Sequence, residues 1–382
     1  MDLNQLRKEI NDIDKSLLEL FQKRMDTAIA IGQYKKGHSM QVLDENREKE
    51  VIQRAKASAE EKYQDFVEAF YENLMALSRE IQREVLNESI TLQIEASTAK
   101  VIEKPTVVFQ GVKGSYSDEA LSLYFGDNVT TVNVQDFEDV FEVLKEGSAD
   151  YGILPVENSS TGSIVDVFDL LAKHDCYIVG EQLVKVEQCL LGVKGSTIED
   201  IREIYSHPQG FSQSTEFLKK FPDCLKTPYY NTAISAKFVA ESKDKAKAAI
   251  AGKRAASIYG LDILAENINT SNDNYTRFIT ISKKLLVEDA SNKVSVMFIL
   301  PHESGSLYNV LTYFARNNLN MLNIESRPIP NKNWEYMFFL DFQGNLNDQK
   351  VKNTLADLSE NSSFIKVLGN YRSAMSKLLW KI

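Results

Sequence analysis

The sequence predicts a multidomain chain: an all-α helical bundle, then a two-lobed α/β domain, then a ferredoxin-like βαββαβ unit. Three observations predict it. Residues 1–88 lack proline, carry glycine only at positions 32 and 37, and space their apolar residues as a helix does. Beyond Pro105, runs of strand-forming residues alternate with helical stretches, the order that builds mostly parallel sheets covered by helices. From about residue 292 the order becomes strand, helix, strand, strand, helix, strand.

The 382 residues are 43% hydrophobic and 26% charged, an ordinary globular balance with room for two or three domains. Lys plus Arg (44) against Asp plus Glu (54) leaves a net charge of −10, which disfavours non-specific adhesion to nucleic acid or to an anionic membrane. An anionic ligand must therefore meet cations that converge locally. The first ten residues mix charges every few positions and read as neither a secretory nor a transit signal. No apolar run approaches the roughly 18 residues of a membrane span. Cys176, Cys189 and Cys224 lack close pairing, which suits a reducing, cytoplasmic compartment. The histidines at 38, 174, 207 and 302 lack metal-ligand spacing, so no metal is expected; no cofactor is expected either.

In the first part, Leu3, Leu6, Ile10, Ile13, Leu17 and Leu20 alternate steps of three and four, the seam of a long helix running to about Tyr34 and broken by Gly37. A second helix is expected from the N-cap Asp44 through Arg54. A third is expected from about Glu61 to Asn87, with Phe66, Phe70, Leu74, Leu77, Ile81 and Val85 as its stripe. One long helix and two shorter ones leave much of that seam wet, so an intertwined homodimer is expected, with a tetramer left open.

The polar residues of this part fall into register. Arg24 and Lys35 are 11 residues apart, which is three turns with about 20° of drift, so they share a face. Arg7 lies about 100° away and points more naturally at a cavity in a partner chain. Asp44 and Glu48, like Ser78 and Gln82, are four residues apart, and Arg47 sits beside Glu48. Singly, these charges read as solvated helix faces. Ser78 and Gln82 differ, because polar groups beside a core stripe want partners.

Leu6 and Arg7, Arg24, Lys35, Asp44 with Arg47 and Glu48, and Ser78 with Gln82 together resemble the all-helical type of chorismate mutase over residues 1–88. The resemblance implies that Arg24 and Arg47, with Arg7 of a second subunit, hold the two carboxylates of chorismate. It implies that Lys35 and Gln82 donate to the breaking ether oxygen, that Glu48 accepts from the ring hydroxyl, and that Asp44 and Ser78 support them. A Claisen rearrangement needs no nucleophile, only a compact conformer and donors aimed at developing charge.

Residues 89–104 fade into polar and small types and read as a linker. In the α/β part, strands are expected at 106–109, 129–134, 151–154, 177–184, 189–193, 248–251 and 275–282. Helices are expected at 118–125, 137–146, 164–173, 211–221 and 233–241. The turn Gly111-Val-Lys-Gly-Ser-Tyr-Ser117 lacks the Lys-Ser/Thr of a phosphate loop and reads as a tight turn. Polar residues concentrate at three predicted strand ends: Pro155 to Gly162, Ser206 to Gln209 with Gln213, and Thr276-Arg277-Phe278. Each alone fits a cap or turn.

In this order they resemble prephenate dehydratase over residues 105–283, with Val112 where the family usually has proline. The resemblance implies a periplasmic-binding-protein-like pair of lobes. It also implies Thr276 acting on the leaving hydroxyl, Asn158 and Gln213 positioning the ring, and Arg277 near a carboxylate. Glu157 is left with two readings, a site residue or an ordering residue of its loop.

The last part, residues 292–372, carries Gly305, Ser306 and Leu307 at its first strand-to-helix turn, and Glu325, Ser326, Arg327 and Pro328 at the end of its second strand. These resemble the phenylalanine-binding ACT domain, with serine where glycine-alanine-leucine is usual. The resemblance implies feedback inhibition by L-phenylalanine, its carboxylate at the helix start and its ammonium near Glu325. A plain dimerisation module is the alternative. The whole therefore reads as a bifunctional enzyme of phenylalanine biosynthesis, with chorismate and prephenate as substrates. The rival is a two-lobed sensor without turnover, and no basic helix-turn-helix supports a DNA-binding version.

Overall fold

A computed structural model describes residues 2–38, 40–86, 102–126, 128–329, 332 and 334–374. Most of the expected linker, residues 89–101, lies outside them. The chain forms two compact units that divide after residue 93.

The first unit is α1 (Leu3–Gly37), α2 (Glu45–Ser58) and α3 (Gln64–Leu86). Asp44 caps α2, its carboxylate accepting from the Arg47 amide at 3.0 Å. Met25, Ala28 and Gly32 form the buried face of α1 and meet α3, where Leu74, Met75 and Ala76 are buried. The rest of the α1 seam is open. Leu3, Leu6, Ile10, Ile13, Leu17 and Leu20 are 42–66% exposed, and Phe66 and Phe70 of α3 join them.

The second unit begins with β1 (Thr106–Gln110), α4 (Tyr116–Phe125), β2 (Thr130–Val134), α5 (Phe137–Glu146), β3 (Tyr151–Asn158), the short β4 (Gly162–Ser163), α6 (Val165–Lys173) and β5 (Tyr177–Lys185). The chain then enters a second lobe: β6 (Cys189–Gly192), β7 (Glu203–Ser206), α7 (Pro208–Gln213), α8 (Thr215–Leu218), β8 (Leu225–Pro228), α9 (Thr232–Ser242), β9 (Lys247–Ala251), α10 (Lys253–Tyr259) and β10 (Asp262–Ala265). It returns on β11 (Tyr275–Ser282). The second lobe's sheet has the order β10-β6-β9-β7-β8.

The chain crosses between lobes twice, before β6 and after β10, and the two crossings are tied side by side. Gln188 donates its amide to Asn269 Oδ1 at 2.7 Å, and Asn269 Nδ2 returns a bond to Val186 O at 2.9 Å. The expectation of mostly parallel sheets holds for β1 with β2 and β3 and for β7 with β8 and β9. It fails at β11, which comes back from the far lobe and runs antiparallel to both β3 and β5, and at β6, which runs antiparallel to both β9 and β10. The single helix expected at 211–221 is two short ones, because His207 caps a helix that starts at Pro208 and Ser214 leaves the helical region. The four-residue strands β7, β8 and β10 and the helix α10 carry too little pattern to be read from sequence.

The last part is β12 (Lys293–Ile299), α11 (Ser306–Arg316), β13 (Met321–Pro328), β14 (Tyr336–Gln343), α12 (Gln349–Glu360) and β15 (Phe364–Tyr371), the expected βαββαβ order. It is not a separate body. Its sheet continues into the first lobe in the order β13-β14-β12-β15-β5-β11-β3-β1-β2, with β4 pairing β3.

The junction is one parallel pairing, Gly369 with Ile178. A Cβ at position 369 would sit 2.1 Å from the Ile178 carbonyl oxygen, a distance no side chain tolerates. Gly369→Ala should therefore lower stability by about 1–3 kcal/mol in urea unfolding; an unchanged midpoint would show that the junction yields freely.

Candidate active sites

In the helical unit α1 and α3 bring four of the expected residues to one seam. Arg24 donates to the Ser78 hydroxyl and, at 3.4 Å, to Leu74 O. Gln82, one turn on, donates from Nε2 to Ser78 O at 3.1 Å and packs against Gly32, where a Cβ would lie 3.3 Å from it. Lys35, three residues beyond Gly32, is half-buried and donates to Val42 O. Ser78 and Gln82 are more than nine-tenths buried.

Other residues stand differently. Glu48 of α2 faces α3 and pairs with Arg79. Arg47 is exposed and pairs with Glu50 at 2.7 Å, so one copy of the chain does not bring it into the seam. Asp44 is committed to capping α2. Arg7 lies on the exposed half of α1, about 26 Å along the axis from Arg24.

Arg79 is the residue that sequence reasoning missed. It follows Ser78 by about 100° and precedes Gln82 by three positions, so all three share one stripe. That spacing was the available signal. Arg79 is 8% exposed, and both its Nε and Gln82 Oε1 are buried without a hydrogen-bond partner. Each such atom costs about 1–3 kcal/mol unless a ligand or partner chain meets it.

The cleft between the lobes has a volume of about 320 Å³, within the range of small-ligand sites. Thr276 and Asn158 stand opposite each other on β11 and β3, beside a bulge at Val156. The Asn158 side chain is fully committed. Its Oδ1 accepts from the amides of Ser160 (3.0 Å) and Thr161 (3.2 Å), which fixes the other end as the donor. Nδ2 then donates to Asn274 Oδ1 at 2.8 Å and Thr276 Oγ1 at 2.9 Å. With a lone pair of Thr276 occupied in this way, its O–H is left to donate into the cleft. Asn158 thus orients Thr276, and has no donor left for a substrate ring.

Gln213 lines the cleft with Oε1 accepting from Gln188 Nε2 at 3.1 Å. Gln209 of the second lobe reaches Thr161 of the first at 3.4 Å. Gly111 and Gly114 take φ of +107° and +84°, which favours glycine. Gly114 sits so close to α10 that a Cβ would be 3.0 Å from Ala255 Cα. The loop is an inter-lobe contact, reinforced where Arg254 pairs with buried Asp118. Burial raises the Asp118 carboxyl, yet Arg254, the Gly114 amide and Lys113 together hold it below the usual range.

Arg277 departs from expectation. Side chains alternate along a strand, so with Thr276 and Phe278 lining the cleft, Arg277 projects from the opposite face. There it is 5% exposed and bonds Glu157 Oε2 at 3.0 Å and Asp341 Oδ2 at 3.2 Å. It does not reach a ligand in the cleft. Glu157 is absent from the lining too, and orders its loop through this ion pair.

No Lys, Arg, Asp or Glu is among the described residues that line the cleft. Two helix N-termini open onto it, each carrying a partial positive charge: α4 begins there at Ser115 to Ser117, and α9 at Asn231 and Thr232. Burial pushes the Tyr116 phenol well above its ordinary value, and its hydroxyl donates to Glu187 O at 3.2 Å.

In the last part Gly305 caps α11 at φ +86°, with Ser306 and Leu307 beginning the helix. β12 and β13 run the same way on either side of β14, so the start of α11 and the end of β13 lie at one end of the sheet. Glu325 Oε2 accepts from Ser163 Oγ at 2.8 Å, and Arg327 forms a two-point pair with Asp169 at 3.0 and 2.8 Å. Ser326 and Pro328 are exposed on this edge strand.

These features present two candidate sites, one lined by cations and one without Lys, Arg, Asp or Glu among its described lining, and a C-terminal domain whose sheet continues into the lobe of the second. Family models match three successive segments: chorismate mutase type II at residues 6–83, prephenate dehydratase at 107–285 and the ACT domain at 294–360. A bifunctional chorismate mutase/prephenate dehydratase of Aquifex aeolicus is 32% identical over 98% of this chain and 99% of its own. Two solved structures each cover 71% of the chain. Prephenate dehydratase of Arthrobacter aurescens in complex with L-Phe has TM-score 0.65 and 29% identity over 90% of that chain. GqqA, described as a novel type of quorum quenching acylase, has TM-score 0.66 and 30% identity over 99% of that chain. The chain belongs to the bifunctional chorismate mutase/prephenate dehydratase family. It is both an isomerase and a lyase.

Arg79→Ala should lower kcat/KM for chorismate at least about tenfold, the loss expected for a bond to a site carboxylate, while prephenate turnover stays constant. Unchanged chorismate turnover would assign Arg79 to packing alone.

Proposed function

We propose that the helical unit rearranges chorismate to prephenate and that the inter-lobe cleft converts prephenate to phenylpyruvate, each with its own side chains. In the first reaction Arg24, with Arg47 and the Arg7 of a second copy, holds the two carboxylates. Lys35 and Gln82 donate to the ether oxygen as negative charge grows on it, Gln82 through the second hydrogen of its Nε2. Glu48, oriented by Arg79, accepts from the ring hydroxyl, and Ser78 steadies Arg24. The open seam of α1 and the unpartnered Gln82 Oε1 support pairing of two copies as a homodimer.

In the second reaction the C–CO2 bond breaks, its electron pair enters the ring, and the ring hydroxyl leaves as water with a proton. Thr276 donates a hydrogen bond to that departing oxygen, and Gln213 contacts the ring. The N-termini of α4 and α9 receive the side-chain carboxylate, in the role first expected of Arg277. The observation that carries this reading is the neutral lining. A cation beside the departing carboxylate would hold back the electron pair that must leave it, whereas backbone dipoles bind the other carboxylate without that penalty.

L-phenylalanine acts through the C-terminal domain, its carboxylate at Gly305 to Leu307 and its ammonium near Glu325. That the Arthrobacter relative was solved in complex with L-Phe supports phenylalanine as the effector. A cytoplasmic setting fits the three free cysteines, and no described helix is long and apolar enough to cross a membrane. The acylase relative does not redirect the reading. Among the described hydrogen bonds His207 Nδ1 accepts from the Gln209 amide at 3.2 Å, and none joins His207 to a serine hydroxyl.

Two variants separate the sites. Lys35→Ala should cut chorismate consumption by roughly 100-fold or more yet leave dehydration of supplied prephenate intact; equal loss of both would contradict separate sites. Thr276→Ala should slow phenylpyruvate formation by roughly 100-fold, so that prephenate accumulates from chorismate. Full phenylpyruvate formation would remove Thr276 from the mechanism.

A further inference from the structure

Five charged side chains meet behind the cleft, on the face of the sheet that substrate does not touch. Arg277 of β11 and Lys293 of β12 face Glu157 of β3, Glu181 of β5 and Asp341 of β14. Lys293 Nζ lies 2.9 Å from both Glu181 Oε2 and Asp341 Oδ2, and Arg277 Nη1 lies 3.6 and 3.2 Å from the same two oxygens. The Ser295 hydroxyl donates to Asp341 and lies 2.7 Å from the Tyr371 hydroxyl. Glu181 Oε1 accepts from the Ala374 amide at 2.7 Å and Ser373 Oγ at 3.0 Å.

Arg277, Glu181 and Lys293 are all at least 95% buried. Glu157, Glu181 and Arg277 belong to the dehydratase lobe; Lys293, Ser295, Asp341 and Tyr371 belong to the C-terminal domain. The cluster therefore straddles the boundary between the two.

We infer that Arg277 is a positioning residue for dehydration: gripped from behind by Asp341 and Glu181, it fixes the level of β11 at which Thr276 meets the leaving hydroxyl, and passes the state of the C-terminal domain to that threonine. The inference deepens the two-site reading above and rests on it. Three features carry it.

Thr276 and Arg277 are consecutive, so a shift of the guanidinium moves the Thr276 Cα with it. The partner of Thr276 across β3 is Asn158, whose neighbour Glu157 is the partner of Arg277. Both halves of the hydrogen-bonded pair in the cleft thus have their next residues locked in the cluster. A buried guanidinium can also relax only by finding another carboxylate, so the cluster holds discrete arrangements rather than a continuum. The second grip of the C-terminal domain falls just beyond β3: Glu325 of β13 holds Ser163 of β4, which pairs with β3, and Arg327 holds Asp169 of α6. A movement of β13 or β14 on effector binding therefore acts on both strands that present Asn158 and Thr276.

The test uses the full-length protein with both activities measured in parallel, since the mutase lies in the other unit and does not use β11; folding of the second unit is checked by its thermal unfolding. Arg277→Gln and Asp341→Asn should each lower kcat for prephenate at least tenfold with KM changed less than threefold, and should leave chorismate turnover unaltered. In both variants the phenylalanine concentration giving half inhibition should rise at least fivefold. Arg277→Lys, which keeps the charge and loses the fork, should recover only part of kcat.

A rise in KM with kcat preserved would place Arg277 on the substrate and overturn the inference, as would kcat and inhibition both unchanged. Should Arg277→Gln fail to fold, Ser295→Ala decides. It removes one hydrogen bond to Asp341 and no charge, and should weaken phenylalanine inhibition at least twofold; wild-type inhibition would overturn the proposal. Wild-type enzyme insensitive to phenylalanine would instead count against the effector assignment, and the kcat comparison would still judge Arg277.

Discussion

The strand at Thr276 and Arg277 is the constraint on which the second unit depends. Because successive side chains of a strand leave opposite faces, one dipeptide serves two environments: a neutral cleft that needs a hydroxyl donor, and a buried ionic joint that needs a cation. Antiparallel pairing of β11 with both β3 and β5 fixes the level of that dipeptide from each side. The bulge at Val156 lets Asn158 reach Thr276 while Glu157 still reaches Arg277. Moving the register by one residue would put the arginine into the cleft and the threonine among the carboxylates.

An acidic chain that handles dianions must concentrate positive potential where it is needed, and the two halves of this protein do so differently. On the proposed reading the helical unit uses guanidinium and ammonium groups, which suits a rearrangement in which both carboxylates persist and charge gathers on an ether oxygen, and the cleft uses helix N-termini and amides. That suits a reaction in which one carboxylate must give up its electron pair. The difference in chemistry accounts for the difference in side chains more directly than the family resemblance does.

Much of this was legible in the sequence, because it rests on local pattern. The 3.6-residue stripes gave the helices, the break after Gly37 gave the end of α1, and Asp44 announced a cap. The last part appears in its expected order because each of its elements is long and clearly periodic. What could not be read depends on partners distant in the chain. Arg277 looks like a substrate cation until strand alternation and Asp341, 64 residues on, are both known. Asn158 looks like a ring contact until its amide is seen to be fully used. Arg79 does not stand out in the sequence, since its burial depends on how α2 folds back on α3. Arg47 and Arg7, conversely, stand outside the seam in a single copy of the chain.

Hydrogen-exchange mass spectrometry of the intact protein, with and without phenylalanine, tests the central claim most directly. Residues 275–282 should change their exchange when the effector binds, together with the segment from 157 to 163, while α1 to α3 remain as they were. Complete inhibition of phenylpyruvate formation with exchange altered only within 293–371, and β11 untouched, would contradict the account.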